Sequence, residues 1–176
     1  SSISVTVFGE SHGDCIGAVL DGLPAGIEID RGFISSQLEK RRPSGKISTS
    51  RAERDEFQIV SGCFNGKTCG TPLTIIIPNE NTRSRDYDYG RARPGHADYT
   101  AFLRYAGSED YRGGGHFSGR VTAALTAAGA VALHALSAKG IAIATHIYEC
   151  AGVRDRGFEN YKSDFEKLNN TYFAVL

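Results

Sequence analysis

The alanine-rich run from Ser118 to Lys139 constrains this chain more than any other feature. A glycine turn, Gly113-Gly-Gly115, leads into it, and Gly140 stands where the left-handed residue after a helix belongs, so it reads as one long helix. Its apolar part, Val121 to Leu136, reads as too short and too rich in alanine to span a bilayer. Around it lie hairpin signals. Ile3 to Phe8 alternates polar and β-branched residues and reads as a strand, and Ile16 to Leu20 reads as a second, closed by Asp21-Gly-Leu-Pro24. Phe57 to Ser61 and Leu73 to Ile77 are further strands, joined through the turn pair Asn65-Gly66, and Ile141 to Tyr148 is another candidate. Asp30 fits as the N-cap of a helix carrying Phe33, Ile34 and Leu38 inward, which must end by Arg42 because Pro43 disfavours helical geometry before it. Tyr99 to Tyr105 and Asp164 to Leu168 read as short helices. Hairpins around a long apolar helix predict an α+β layer arrangement with antiparallel sheet.

At 176 residues the chain is long enough to bury a core of its own. Lys plus Arg and Asp plus Glu number 20 each, so any polyanion-binding surface must come from local clustering. The four cysteines, Cys15, Cys63, Cys69 and Cys150, form no CxxC pair and have no zinc-like spacing with histidine. They are expected to be reduced, buried thiols of a cytoplasmic protein. The chain opens without Met and stops at Phe173-Ala-Val-Leu176 with no tail-like composition, and is expected to be an incomplete piece.

Four segments carry chemistry. Ser11-His12 sits between Gly9 and Gly13 right after a strand, where glycines let backbone crowd a ligand and His12 can serve as a proton donor. Lys40 to Arg54 holds Lys40, Arg41, Arg42, Lys46, Arg51 and Arg54 with few acids, and reads as a mobile basic loop for a small polyanion. Pro78 to Asp98 is a long polar loop; within it, Arg93-Pro-Gly-His96 joins a cation to a second histidine just before a helix start. Gly113-Gly-Gly-His-Phe-Ser-Gly-Arg120 feeds a helix N-terminus, a natural anion site because free N–H groups point outward there. Each segment alone is an ordinary turn or a solvated surface; the coincidence of four is harder to dismiss.

Together these segments resemble chorismate synthases. The family's first signature is similar to Gly9-Glu-Ser-His-Gly13 with Ile16-Gly-Ala-Val-Leu-Asp-Gly-Leu-Pro24. Arg41-Arg-Pro43, Ser61-Gly62, Gly66-Lys-Thr68, Gly70-Thr-Pro72, Arg83-Ser84, Asp86-Tyr87, Arg93-Pro-Gly-His-Ala-Asp-Tyr-Thr100, Asp110-Tyr-Arg-Gly-Gly-Gly115 and Ala127-Ala-Gly-Ala-Val131 follow in the family's order, to about Gly152. The resemblance implies an anti 1,4-elimination of phosphate from 5-enolpyruvylshikimate 3-phosphate, giving chorismate and requiring reduced FMN, with NADPH as reductant in bifunctional members. It implies that His12 protonates the leaving phosphate and His96 the reduced flavin. Ser11, Arg41, Lys46, Arg51, Arg93, Ser118 and Arg120 would hold the substrate, while His96, His116, Phe117 and Ser118 would touch the cofactor. It further implies a β-α-β sandwich, helices between antiparallel sheets, in a cytoplasmic homotetramer that engages neither nucleic acid nor membrane.

Residues 1–176 would then be the N-terminal part of a single domain, with much of the flavin site and a catalytic Asp in the other half. One departure stands out: the family commonly has Arg-Ser-Ser-Ala-Arg where this chain has His116-Phe-Ser-Gly-Arg120. Two rival readings remain. Gly9-Glu-Ser-His-Gly13 formally fits the G-x-S-x-G of a serine hydrolase with Ser11 as nucleophile, which requires a helix after the loop. Alternatively, the basic loops form an RNA-binding module, although few aromatics lie between them.

Overall fold

The computed structural model describes residues 2–42, 54–80, 87–171 and 174–176. The chain divides into two compact units, Ser1–Ala132 and Leu133–Leu176. In the first, β1 (Ser4–Gly9), β2 (Cys15–Asp21), β3 (Gln58–Ser61) and β6 (Leu73–Pro78) form one antiparallel sheet in the order β1-β2-β6-β3. The register explains its core. Ile16 opposes Ile77, Ala18 opposes Ile75 and Leu20 opposes Leu73, so period-2 alternation brings all six to one face. All six are essentially sealed from solvent, and each fully buried Leu or Ile contributes roughly 1.5–3 kcal/mol. Between β3 and β6, β4 (Cys63–Phe64) and β5 (Lys67–Thr68) form the small hairpin that Asn65-Gly66 predicted.

Two helices supply the rest of this core. Helix α1 (Arg31–Arg41) starts where expected: the Phe33 N–H donates to Asp30 Oδ1 at 2.8 Å, and Ile34 and Leu38 are buried. Helix α3 (Thr122–Ser137) is shorter than its sequence suggests, because residues Gly119–Val121 wind as a tighter 3₁₀ turn and the chain past Ser137 closes in turns ending at Gly140. Ala123, Ala124, Ala127, Ala128, Ala130 and Val131 form its buried stripe, small residues that permit close approach to their neighbours. By length and composition the 19 residues Gly119–Ser137 would suffice to cross a membrane, contrary to the sequence reading, but this alanine stripe belongs to the core beside the sheet. Helix α2 (Asp98–Tyr105) forms almost as expected.

In the second unit, β7 (Glu149–Cys150) and β8 (Val153–Arg154) make a short hairpin before α4 (Tyr161–Asn170), which Asn160 caps by accepting from the Ser163 N–H at 3.2 Å. Asp164 of α4 accepts from Arg156 and from the N–H groups of Glu159 and Asn160, which holds its carboxyl well below the usual range. The strand expected over Ile141 to Tyr148 does not form: Ile141, Ile143 and Ile147 are about half exposed, and the segment has no ladder partner among the described residues. Alternation supplies a strand's side chains but not its neighbour. The cysteine expectation also needs correction. All four are free, but Cys15 and Cys63 are half-buried and Cys69 and Cys150 are exposed.

Leu38→Ala is expected to cost about 2–5 kcal/mol by opening a cavity under the sheet, whereas Asp30→Ala, which removes only the cap, costs about 1 kcal/mol. Urea denaturation of the two variants checks the ranking.

Candidate active site

The loop between β1 and β2 and the glycine turn before α3, a hundred residues apart in the chain, are clamped together. The Ser11 N–H donates to Gly115 O at 3.0 Å, and His116 Nδ1 lies 2.9 Å from Gly9 O. A carbonyl only accepts, so His116 carries a proton on Nδ1. Gly113 has φ of +61°, and a Cβ there would sit 2.6 Å from His12 Cδ2, 2.7 Å from His12 Nε2 and 2.9 Å from Ser11 Oγ. Only glycine lets the turn lie directly on this pair. Ser11 and His12 are accordingly buried, at 0% and 7% exposure.

Further groups surround the pair. The Tyr87 ring meets the His12 ring edge-on at 5.2 Å, and the Arg93 guanidinium lies over the Tyr87 ring at 5.3 Å. Arg93 donates through Nε and Nη2 to Asp98 at 2.8 and 2.9 Å, and its backbone N–H donates to the same carboxylate at 2.9 Å. Its Nη1 has no partner among the described residues and is available to an anion. Gly114 brings Arg93 Nη2 and Ser118 Cβ close to one point, within 3.5 and 3.8 Å of where its own Cβ would be. Asp110 holds Arg112 through two side-chain bonds of 2.8 and 2.7 Å, and that contact depresses the Asp110 carboxyl. An adjoining cavity of about 430 Å³ is lined by Tyr87, Arg93, Tyr99, Phe102, Tyr111 and Phe117, among others.

The structure distributes the candidate residues unevenly. Ser11, His12, Arg93 and Ser118 gather around the glycine turn. Of the residues assigned to the cofactor, Phe117 lines the cavity, while His96 is exposed in its own turn with Nδ1 3.2 Å from Pro94 O. Lys46 and Arg51 lie outside the described residues, as do Arg83 and Arg85. Arg41 and Arg120 meet at a group that the sequence reading missed. Arg41 Nη1 donates to Asp55 Oδ2 at 3.2 Å, its Nε to Thr122 Oγ1 at 3.2 Å and its Nη2 to Gly119 O at 2.9 Å. Arg120 Nη1 donates to Asp55 Oδ1, its Nε to Asn79 Oδ1 at 2.9 Å and its Nη2 to Pro78 O at 3.1 Å. Every guanidinium nitrogen of both residues therefore has a protein partner. Asp55, between Arg54 and Glu56, carries no sequence signal of burial; its side chain is 1% exposed.

The serine-hydrolase reading does not fit the structure. Strand β2, not a helix, follows Gly13, so the loop is not a nucleophile elbow. Among the described residues of the basic loops, Arg41 and Arg93 each pair with a carboxylate, Asp55 and Asp98.

An antiparallel α+β core closes a glycine turn over a buried serine and histidine, beside a forked arginine with one open nitrogen. The comparisons narrow this. The family model for chorismate synthase matches residues 3–174. Chorismate synthase of a Nitratiruptor species is 49% identical over 158 residues, which cover 88% of this chain and 44% of that protein. That of Campylobacter fetus subsp. fetus is 46% identical over 178 residues, covering 100% of this chain and 48% of the relative. A crystal structure of chorismate synthase matches with a TM-score of 0.71 at 27% identity, over 99% of this chain and 48% of that one. The chain belongs to the chorismate synthase family, and spans about half the length of the relatives it matches.

The Arg93 hydrogen bond lowers the Asp98 carboxyl from 3.8 to about 2, against the opposing effect of burial. A depressed folded-state pKa stabilises above the unfolded value, and the contribution is lost as pH falls. Wild type is therefore expected to melt higher than Asp98→Asn at neutral pH, with the gap closing between pH 3.8 and about 2. Melting temperatures of both proteins across that range check this.

Proposed function

We propose that the full-length protein is a chorismate synthase, and that residues 1–176 are the N-terminal part of its single domain. The reaction is the anti 1,4-elimination of phosphate from 5-enolpyruvylshikimate 3-phosphate: a ring C–O bond and a ring C–H bond break, and phosphate and a proton leave. The observation that carries this reading is His12, buried beside Ser11 under Gly113 and one ring away from Arg93, whose Nη1 is open to an anion. A phosphate leaving group needs an acid and a cation, and this cluster offers both.

His12 gives its proton to the departing phosphate, which Arg93 Nη1 and the glycine turn orient. Ser11 and Ser118 offer hydroxyl contacts, and Lys46 and Arg51 complete the charge needed by a substrate with a phosphate and two carboxylates. Arg41 and Arg120, already bonded to Asp55, fix the backbone around the site and would have to exchange partners to touch substrate directly. His116, with Nδ1 on Gly9 O, reaches an anion only through Nε2, which donates only when the ring is protonated.

The residues present fit part of a flavin site: the cavity beside the cluster joins aromatic walls to the cations Arg91 and Arg93, matching a planar ring system with a phosphate. Phe117 would face the ring, and His96, whose Nδ1 faces Pro94 O, would offer it a proton from Nε2 only as the imidazolium. Reduced FMN, when bound, supplies an electron donor that ends the reaction unchanged, because the elimination has no net redox change. The remaining half of the protein completes the site. A β-α-β sandwich, a homotetramer and a cytoplasmic location belong to the same reading.

In the full-length enzyme with reduced FMN, His12→Ala should lower kcat about a hundred- to ten-thousand-fold with substrate KM little changed. Phosphate release assayed over a substrate series checks it. Near-normal kcat with a raised KM would make His12 a binding residue.

A further inference from the structure

His12 must keep one orientation to act as an acid, yet residues 10–14 form a loop with no regular structure of its own. The glycine turn holds one side of it, through Gly115 O and His116. Asn79, one residue past the end of β6, holds the other. Its Nδ2 donates to Glu10 O at 2.9 Å and to Gly13 O at 2.8 Å, the two carbonyls that bracket Ser11 and His12. Its Oδ1 accepts from Arg120 Nε at 2.9 Å, and its own N–H donates to Asp14 O at 3.0 Å, extending the β2–β6 ladder by one step. These contacts leave the amide one orientation: reversed, its oxygen would face two carbonyls and its NH₂ a guanidinium. Arg120 cannot swing away, since Asp55 and Pro78 O hold its other two nitrogens.

We infer that Asn79 is a positioning residue for the reaction, setting the His12 loop through the Glu10 and Gly13 carbonyls, with the Asp55–Arg120 pair as its anchor. The inference rests on the proposed role of His12 as the acid. Arg120 then contributes through Asn79, and its burial follows from that task. A glutamine reaches too far and an alanine does not reach at all; an aspartate keeps the shape but turns an acceptor toward two acceptors.

The test uses the full-length protein with reduced FMN. Asn79→Asp, which still faces Arg120, should lower kcat about a hundredfold, the typical effect of roughly 1 Å of misplacement, and leave KM within about twofold. Asn79→Ala carries the same expectation should the aspartate variant fail to fold. In a His12→Ala background, either Asn79 substitution should change turnover by less than about threefold, because residues acting through one group are not additive. An equal fall in both backgrounds, or a loss seen only as a raised KM, overturns the inference. If the wild type releases no phosphate from the substrate, the proposed function fails, and the loop is judged by hydrogen exchange instead. The Ser11 amide of Asn79→Ala should then exchange about tenfold faster than in wild type, and unchanged exchange overturns the positioning role.

Discussion

A carboxylate that has left water must be shared among cations, and in this chain that constraint falls on Asp55. Its two oxygens take one guanidinium from the end of α1 and one from the turn before α3, and its side chain is 1% exposed. Through Arg41 it reaches Gly119 O and Thr122, and through Arg120 it reaches Pro78 O and Asn79. Four segments distant in sequence are thus tied at one point, all at the same end of the β2–β6 pair. Removing Asp55 would leave the buried Arg120 guanidinium without its carboxylate, so the network acts as a unit.

The loop cluster depends on that anchor on one side and on glycine on the other. Gly113 carries no side chain, so the backbone can press on Ser11 and His12, and Gly115 O can accept from the Ser11 N–H. The alanine stripe of α3 serves the same end, since it lets that helix sit close in the core and brings the turn before it to the end of the sheet. The arginines sort into two kinds. Arg41 and Arg120 have all their nitrogens on protein groups, whereas Arg93, braced by Asp98 and Tyr87, keeps one nitrogen open. Braced cations of the second kind are suited to ligands, because they are oriented before the ligand arrives.

Much of the fold was legible in the residues. Alternation in β1, β2 and β6, the Asp30 cap and the Asn65-Gly66 turn are local signals, and each element formed within a few residues of its expected place. Ile141 to Tyr148 shows the limit of such signals, for it alternates yet forms no strand, its backbone making only isolated bonds at Ile141, Ile147 and Tyr148 among the described residues. The cysteines show another: composition argued for burial, but Cys69 and Cys150 lie on exposed turns and edges. The candidate site was legible as a set of glycine-, histidine- and arginine-bearing loops. The roles inside it were less so, because an arginine's sequence does not say whether its fork will meet a ligand or a buried aspartate.

By itself the sequence determined the strands of the four-stranded sheet, the helices, the glycine turns and the family, since these follow from local backbone preference, periodicity and the order of motifs. Tertiary structure alone decided that Gly113 would rest on His12, that Asp55 would bind Arg41 and Arg120, and that Asn79 would bracket the histidine loop. Those contacts join residues between 14 and about a hundred positions apart. No local pattern encodes them; they arise only when burial of the sheet's apolar face brings the loop ends together and every polar group caught there must find a partner.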